Sequence, residues 1–270
     1  MNWGRAKTIL IVLFLAIDIL LLTILMVVNH DAVYIKEETI LSTISVLNNH
    51  GIGISKECIP KKRIQKNILS YENLAYANEK AAERFLGEEF ETESDGDTLR
   101  YIQGEKSLTI SGSEVLYENS RQIVAVESFE QTKKFLISDL KSVGYNENDI
   151  SFENVKTENG ICYATVCLLF DGKRVNGAEM NMEADAQGIL KLGGRCFSLV
   201  NTKKTNEKMT DVTSALCSMI YNPDYFGIDI EKIEVAYYID SEYIDGSDVA
   251  AYPVYAVTDG GGYRHILKDY

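Results

Sequence analysis

The sequence predicts an α+β protein: an N-terminal transmembrane helix, then an ectodomain of two helix-plus-antiparallel-sheet units. Three observations predict it. Residues 9–28 are one apolar run. Helix-period stretches and alternating stretches follow one another through the rest of the chain. Short strand-like runs are separated by Asp-Gly, Gln-Gly and Gly-rich turns, as in antiparallel meanders.

The apolar run reads ILIVLFLAIDILLLTILMVV, and only Asp18 and Thr23 interrupt it. Twenty residues at about 1.5 Å each reach roughly 30 Å, the thickness of a bilayer's hydrocarbon core. A single crossing must satisfy its own backbone hydrogen bonds, so the segment is a helix. Arg5 and Lys7 precede it, and the first eight residues contain no acid. Positive charge stays in the cytoplasm, so residues 1–8 are read as inside and residues from 29 onward as outside. A cleavable signal peptide is the alternative. Its apolar region spans about 7–15 residues and ends in a small-x-small site. Here the run is longer and its exit, MVVNHDAVY, has no such site, which favours a retained anchor.

Asp18 lies at mid-span. An acid there costs about 2.5–3.5 kcal/mol, against about 5–10 kcal/mol contributed by the Ile, Leu, Val and Phe residues, so insertion holds. Two readings stay open: a protonated Asp18 bonded within its own helix and facing lipid, or a contact with a partner helix. Ile11, Leu15 and Leu22 share the Asp18 face, with Phe14, Leu21 and Leu25 beside them. Asp18, Ile11, Leu15 and Leu22 are the candidate partner-binding residues.

The formal net charge is −13. Setting aside Arg5, Lys7 and Asp18 leaves 25 basic and 39 acidic side chains outside, a charge of −14. That argues against nucleic acid, which wants a basic face, and against docking on an anionic membrane surface. Cys58, Cys162, Cys167, Cys196 and Cys217 all lie outside, and an odd number leaves one unpaired in a monomer. Cys162 and Cys167, five apart on a strand, point to opposite faces. Most of the five read as buried small hydrophobes, with a disulfide such as Cys167–Cys196 left open.

In chain order, residues 36–48 predict a helix with Ile40, Leu41, Ile44 and Leu47 on one stripe. A short strand begins at Ile52, and residues 61–66 form a basic surface segment. A second helix covers 76–86 and stops at Gly87, followed by an acidic, turn-rich run, GEEFETESDGD. Strands are expected at LRYIQ, SLTIS and EVLYE within 98–118. A helix spans 128–143, with Ser128 as candidate cap and Phe129, Phe135, Leu136 and Leu140 as its apolar residues. Strands follow at 150–156, 162–170, 178–184 and 189–199, the second closed by an Asp171-Gly172 hairpin. A short helix at 211–221 precedes strands at 230–239, 252–258 and 263–267. The helix–turn–strand plan occurs twice, which places ectodomain units at 29–125 and 126–270.

No HExxH, CxxC or GxSxG motif occurs. His50 and Cys58 are eight apart, and nothing in the sequence orients them as a pair. Glycine pairs at 193–194 and 260–261 are read as hairpin turns, not phosphate loops. Two acidic loops, Glu93, Asp95, Asp97 and Asp240, Glu242, Asp245, Asp248, lack the spacing of a calcium loop and read as solvated. The late tyrosines, Tyr237, Tyr238, Tyr243, Tyr252, Tyr255 and Tyr263, fit a half-buried sheet or a partner surface. No catalytic constellation, cofactor site or metal site is expected.

The opening MNWGRAKTILIVLFLAIDILLL, with Trp3, the Arg5 and Lys7 pair and a polar residue within the helix, resembles the YycI family. LSTISVLNNHGIGISKECIP, TSALCSMIY, IEKIEVAYYI and YPVYAV continue the likeness loosely, although Tyr255 stands where that family is expected to carry Trp. The resemblance implies a non-enzymatic regulator of a WalK/YycG-like sensor histidine kinase that controls cell-wall metabolism in Gram-positive bacteria. It implies association with the kinase and a YycH-like partner through membrane helices. The alternative is a structural or assembly factor of the cell envelope, of the single-pass divisome type.

Overall fold

A computed structural model describes residues 3–240 and 246–268, apart from the side chains of residues 4–6 and 27–32. The chain is mixed α+β, with an N-terminal apolar helix and a large, mostly antiparallel sheet. Helix α1 (Trp3–Val33) continues past both ends of the expected 9–28 span. Its stretch Lys7–Met26 is long and apolar enough to cross a membrane, and every side chain in that stretch is exposed. The Thr23 hydroxyl donates to the Ile19 carbonyl at 2.8 Å, so this polar group is satisfied inside the helix.

Next come α2 (Glu37–Asn49), β1 (Gly53–Ile54), β2 (Gln65–Asn73) and α3 (Asn78–Leu86). Strands β3 (Glu91–Asp95), β4 (Thr98–Gln103), β5 (Lys106–Ser111) and β6 (Glu114–Asn119) form a meander. Helix α4 (Phe129–Ser142) leads into β7 (Ile150–Glu158), β8 (Ile161–Phe170), β9 (Lys173–Asp185), β10 (Gly188–Gly194) and β11 (Phe197–Lys208). The chain then passes through α5 (Val212–Ser218), β12 (Asp229–Ile239), β13 (Asp248–Asp259) and β14 (Arg264–Leu267).

Three strands differ from expectation. β2 lies between the basic segment and the second helix, where no strand is predicted; its buried positions alternate at Leu69, Tyr71 and Asn73, and the polar Asn73 blurs the pattern. β3 lies in the acidic run read as turns. All its residues are exposed and it pairs with β4 alone, a charged edge strand with no apolar period to detect. The strand expected at 189–199 is two strands, because the chain turns after Gly194 (φ 139°) and β11 leaves to pair with β2. Ser128 does occupy the N-cap position of α4, but its side chain caps nothing; Gln131 instead accepts a hydrogen bond from the Glu127 N–H at 3.0 Å.

The chain forms two compact units that interleave along the sequence. Residues 1–65, 207–234 and 255–270 form the first; 66–206 and 235–254 form the second. Late strands come back to early ones. In the first unit α2 packs on α5, burying Ile40, Thr43 and Leu47 against a helix that buries Val212, Ala215 and Leu216. Glu37 and Glu38 sit in the first turn of α2, where the helix dipole favours them, and Gly51 (φ 75°) lets the chain leave it. β1 runs parallel to the start of β12, and β14 pairs with the end of β13.

In the second unit the order β3-β4-β5-β6-β10-β9-β8-β7 is antiparallel throughout, with β12 joining the start of β9 in parallel. α3 packs on β4 and β5, and α4 on β9 and β10. Leu136 and Leu140 are fully buried among Leu108, Met180, Met182 and Leu192, while the neighbouring Phe135 is exposed. Burying each such leucine contributes about 1.5–3 kcal/mol.

One polar cluster ties these layers together. Asp185, at the end of β9, is fully buried. Arg121 donates to both its carboxylate oxygens at 2.6 and 2.7 Å, and the Val124 and Gln187 N–H groups donate at 2.8 Å. The Asp185 carbonyl accepts from the Thr132 hydroxyl of α4. Burial works against the Asp185 charge, but Arg121 and the two N–H groups hold its pKa below the ordinary carboxylate value. Asp139 of α4 completes the attachment by accepting from the Ile189 N–H at 2.9 Å, and burial pushes its pKa up.

Arg121→Ala is expected to lower unfolding stability by about 3 kcal/mol, because the carboxylate is left buried without its cation. Chemical denaturation followed by circular dichroism measures this; an unchanged midpoint would refute it. Asp185 is depressed in the fold, so its contribution is complete above the unfolded Asp pKa of about 3.9 and disappears as pH falls through the lower folded value. Asp185→Asn should remove that part of the acid transition.

Candidate functional site

The predicted partner-binding residues lie together on α1. Ile11, Leu15 and Leu22 are 54%, 57% and 56% exposed, and Asp18 is exposed among them. Their spacing of four, three and four residues makes a straight stripe, the seam by which two helices pack at a shallow crossing angle. Asp18 has no hydrogen-bond or ion-pair partner among the described residues. The side chains of Arg5, His30 and Asp31, which flank the span, lie outside the described residues.

Other residues singled out from the sequence have structural partners. His50 Nδ1 meets the Val46 carbonyl at 2.9 Å, while the Cys58 thiol donates to the Glu231 carbonyl at 3.0 Å, so the two are engaged separately. His265 Nε2 lies 2.8 Å from Asp259 Oδ2, whose other oxygen accepts from the Gly261 and Tyr263 N–H groups at 2.9 Å. His265, followed by those N–H groups, holds the Asp259 pKa below its usual value, and the cluster shapes the Gly260–Gly262 turn. Tyr237 and Tyr255 are buried, whereas Tyr252 and Tyr263 are 44% and 72% exposed. Tyr243, Glu242 and Asp245 lie outside the described residues. Glu93, Asp95 and Asp97 are exposed, and no group of three His, Cys, Asp or Glu among the described residues is placed to hold a metal ion.

Sequence reasoning missed a groove of about 800 Å³ on the sheet face of the second unit that turns away from the core. Its size is within the about 300–1,000 Å³ of ligand pockets. Strand register explains it. Thr109, Leu116, Gly193, Asn181 and Thr165 are direct cross-strand neighbours on β5, β6, β10, β9 and β8. Residues of the other parity, such as Leu108, Val115, Leu192, Met182 and Ala164, face the core. Gly193, with no side chain, sits at the centre of the row between Leu116 and Asn181, and longer side chains stand on both sides. Lys191, Glu183, Tyr163 and Lys156 line one bank by register, and Ser111, Glu114 and Glu179 the other, with Arg195 just past β10. The result is a trough running across the strands.

Gly193 and Gly194, read from sequence as a hairpin turn, instead lie in the last residues of β10, paired with β6 and β9. A Cβ at Gly193 would meet Leu116 Cδ1 at 3.0 Å, and one at Gly194 would strike the Glu179 carbonyl oxygen at 2.7 Å. Two adjacent glycines inside a strand were the available signal for a close approach or an open floor. The bank charges divide: Lys191, Lys156 and Glu179 are engaged, whereas Glu114 and Glu183 have no hydrogen bond or ion pair among the described residues. Lys191 pairs with Glu118 at 3.1 Å, and Lys156 pairs with Glu158 at 3.4 Å and sits 5.3 Å over the Tyr163 ring. Glu179 accepts from Arg174 at 3.1 Å and from the Gly177 N–H at 3.0 Å. Arg195, half-buried, has no hydrogen bond or ion pair among the described residues. Among the described residues no histidine or cysteine lines the trough, whose polar lining is charged and hydrogen-bonding side chains.

No family model and no curated protein matches the chain. Among solved structures, an uncharacterized protein from Eubacterium rectale is similar at 12% identity over 80% of this chain and 84% of its own, with a TM-score of 0.44. The C-terminal domain of YpeB from Bacillus megaterium is similar at 10% identity over 72% of this chain and 96% of its own, with a TM-score of 0.35.

All five cysteines are free, so the disulfide left open between Cys167 and Cys196 is not formed. Cys162, Cys167 and Cys196 are fully buried, and burial pushes the thiols of Cys167 and Cys196 up to about 11 and about 12. In a thiol assay, the five groups should all react after denaturation, whereas only Cys58 and Cys217 should react quickly in the folded protein. Rapid native labelling of Cys196 would contradict this packing.

Proposed function

We propose that this protein is a single-pass, membrane-anchored extracytoplasmic regulator of a two-component sensor histidine kinase that controls cell-wall metabolism. It acts with a YycH-like partner through transmembrane and ectodomain contacts, its N-terminus in the cytoplasm and its large domain outside. It is not an enzyme. The observation that carries the reading is the α1 seam: Ile11, Leu15 and Leu22 in register with an unpartnered Asp18 inside an apolar span. Ionisable groups in membranes face protein or water-filled cavities, so the seam calls for a second helix. The likeness of residues 1–22 to the YycI family supports the kinase as the protein that carries the signal inward.

Asp18→Leu should weaken association with the kinase or the YycH-like protein roughly 3- to 18-fold, in line with interhelical polar contacts of about 0.6–1.7 kcal/mol. The same change favours insertion of the lone helix by about 3 kcal/mol, so lost association cannot be blamed on lost insertion. Asp18→Asn, which keeps a hydrogen-bonding group, should be nearly neutral. A membrane two-hybrid assay at matched expression reads this directly. Equal signals from Asp, Asn and Leu with both partners would leave Asp18 as a lipid-facing residue. Co-purification of division and wall-synthesis proteins in place of a kinase would make the chain an envelope assembly factor.

A further inference from the structure

We infer that a second, smaller cleft, between α3, the end of β8 and the start of β11, binds one free α-amino acid with an apolar side chain. The inference stands apart from the kinase reading and from the α1 seam.

Size and wall select a single residue. The cleft holds about 230 Å³ and lies wholly within the second unit. At about 30 Å³ per water, that is room for about eight non-hydrogen atoms, close to one amino acid of leucine's size and too few for a peptide. Its apolar wall comes from strand ends. Tyr71 of β2, Leu168 of β8 and Phe197 of β11 are at most 4% exposed. The Tyr71 and Phe197 rings meet edge to face, with centroids 6.3 Å apart. A wall of this kind takes a hydrocarbon side chain, and a few placed polar groups orient the rest of the ligand.

Charge selects both ends of the ligand. The lining carries two charged side chains, Arg84 on α3 and Asp149 in the 3₁₀ turn Glu147–Asp149 before β7. They pair neither with each other nor with any other charge among the described residues. The Arg84 guanidinium lies over the Gly144 backbone, 3.6 Å from where a Cβ there would stand. Its planar fork can take a carboxylate through two parallel hydrogen bonds. Asp149 Oδ2 accepts from the Asn146 amide at 2.9 Å, which leaves Oδ1 to accept from an ammonium. Tyr71 adds a hydroxyl that has no hydrogen bond among the described residues although the side chain is almost wholly buried. Burial pushes its pKa up, so it stays a neutral donor. A ligand with one charge leaves Arg84 or Asp149 unmatched in the cleft, whereas a zwitterion satisfies both.

The test is equilibrium dialysis of radiolabelled L-leucine against the purified full chain in detergent micelles, with unlabelled competitors. L-leucine should bind saturably at one per chain. Leucinamide, which lacks the carboxylate, and 4-methylpentanoate, which lacks the ammonium, should each compete at least 10-fold more weakly, and so should glycine, which lacks the side chain. Arg84→Met should weaken leucine roughly 10-fold and leave leucinamide unchanged; Asp149→Asn should weaken leucine similarly and leave 4-methylpentanoate unchanged. The two variants act on opposite ends of the ligand, so either decides the matter alone if circular dichroism shows that the other has not folded. No saturable binding at millimolar leucine, competition by leucinamide, 4-methylpentanoate or glycine as strong as by leucine, or leucine binding that ignores both substitutions would each overturn the inference. The membrane assay with Asp18 is separate: it reads the seam, and its outcome leaves leucine binding as the sole judge of the cleft.

Discussion

The second unit depends on a carboxylate that water cannot reach. Asp185 ends β9, and four donors converge on its two oxygens. A buried charge of this kind is tolerable only when fully paired, so the residues that satisfy it are not free to be elsewhere. Arg121 and Val124 bring in the segment after β6, Gln187 sets the turn into β10, and Thr132 holds α4 through the Asp185 carbonyl. Pieces far apart in sequence are thereby held around one hairpin. The neighbouring Asp139–Ile189 hydrogen bond holds α4 to the same hairpin.

With α4 held on one face of the sheet, strand alternation assigns every other residue. Leu192, Met180, Met182 and Val115 go to the core, and Gly193, Asn181 and Leu116 must go to the opposite face. The trough is thus a by-product of register: five strands each place one open-face residue in a single row. A shift of one residue in β10 would exchange Gly193 for Leu192 on the open face and remove both core and trough. Specificity in the core and openness of the groove therefore have a single physical origin.

The N-terminal helix follows a different constraint. The apolar surface of Lys7–Met26 needs hydrocarbon or protein around it, and the carboxylate of Asp18 is the one chemical discontinuity on its seam. Two surfaces of the chain are open: the α1 stripe and the trough on the sheet face of the second unit.

By itself the sequence determined the α+β class, the apolar span with Asp18 on its seam, and most helices and hairpins. These depend on periodicity, caps and turn residues within about ten neighbours: Ile40 and Leu47 on α2, Asp171-Gly172 between β8 and β9, the glycines before β14. It was silent where structure depends on remote partners. β3 has no apolar residue and is a strand because β4 pairs with it. Gly193-Gly194 looks like a turn and is strand, because β6 and β9 flank it. The interleaved units, the convergence on Asp185 and the cross-strand row under the trough were decided by tertiary structure alone. Register joins residues such as Thr109 and Thr165, which are far apart along the chain, and no local pattern records which strand will lie beside which.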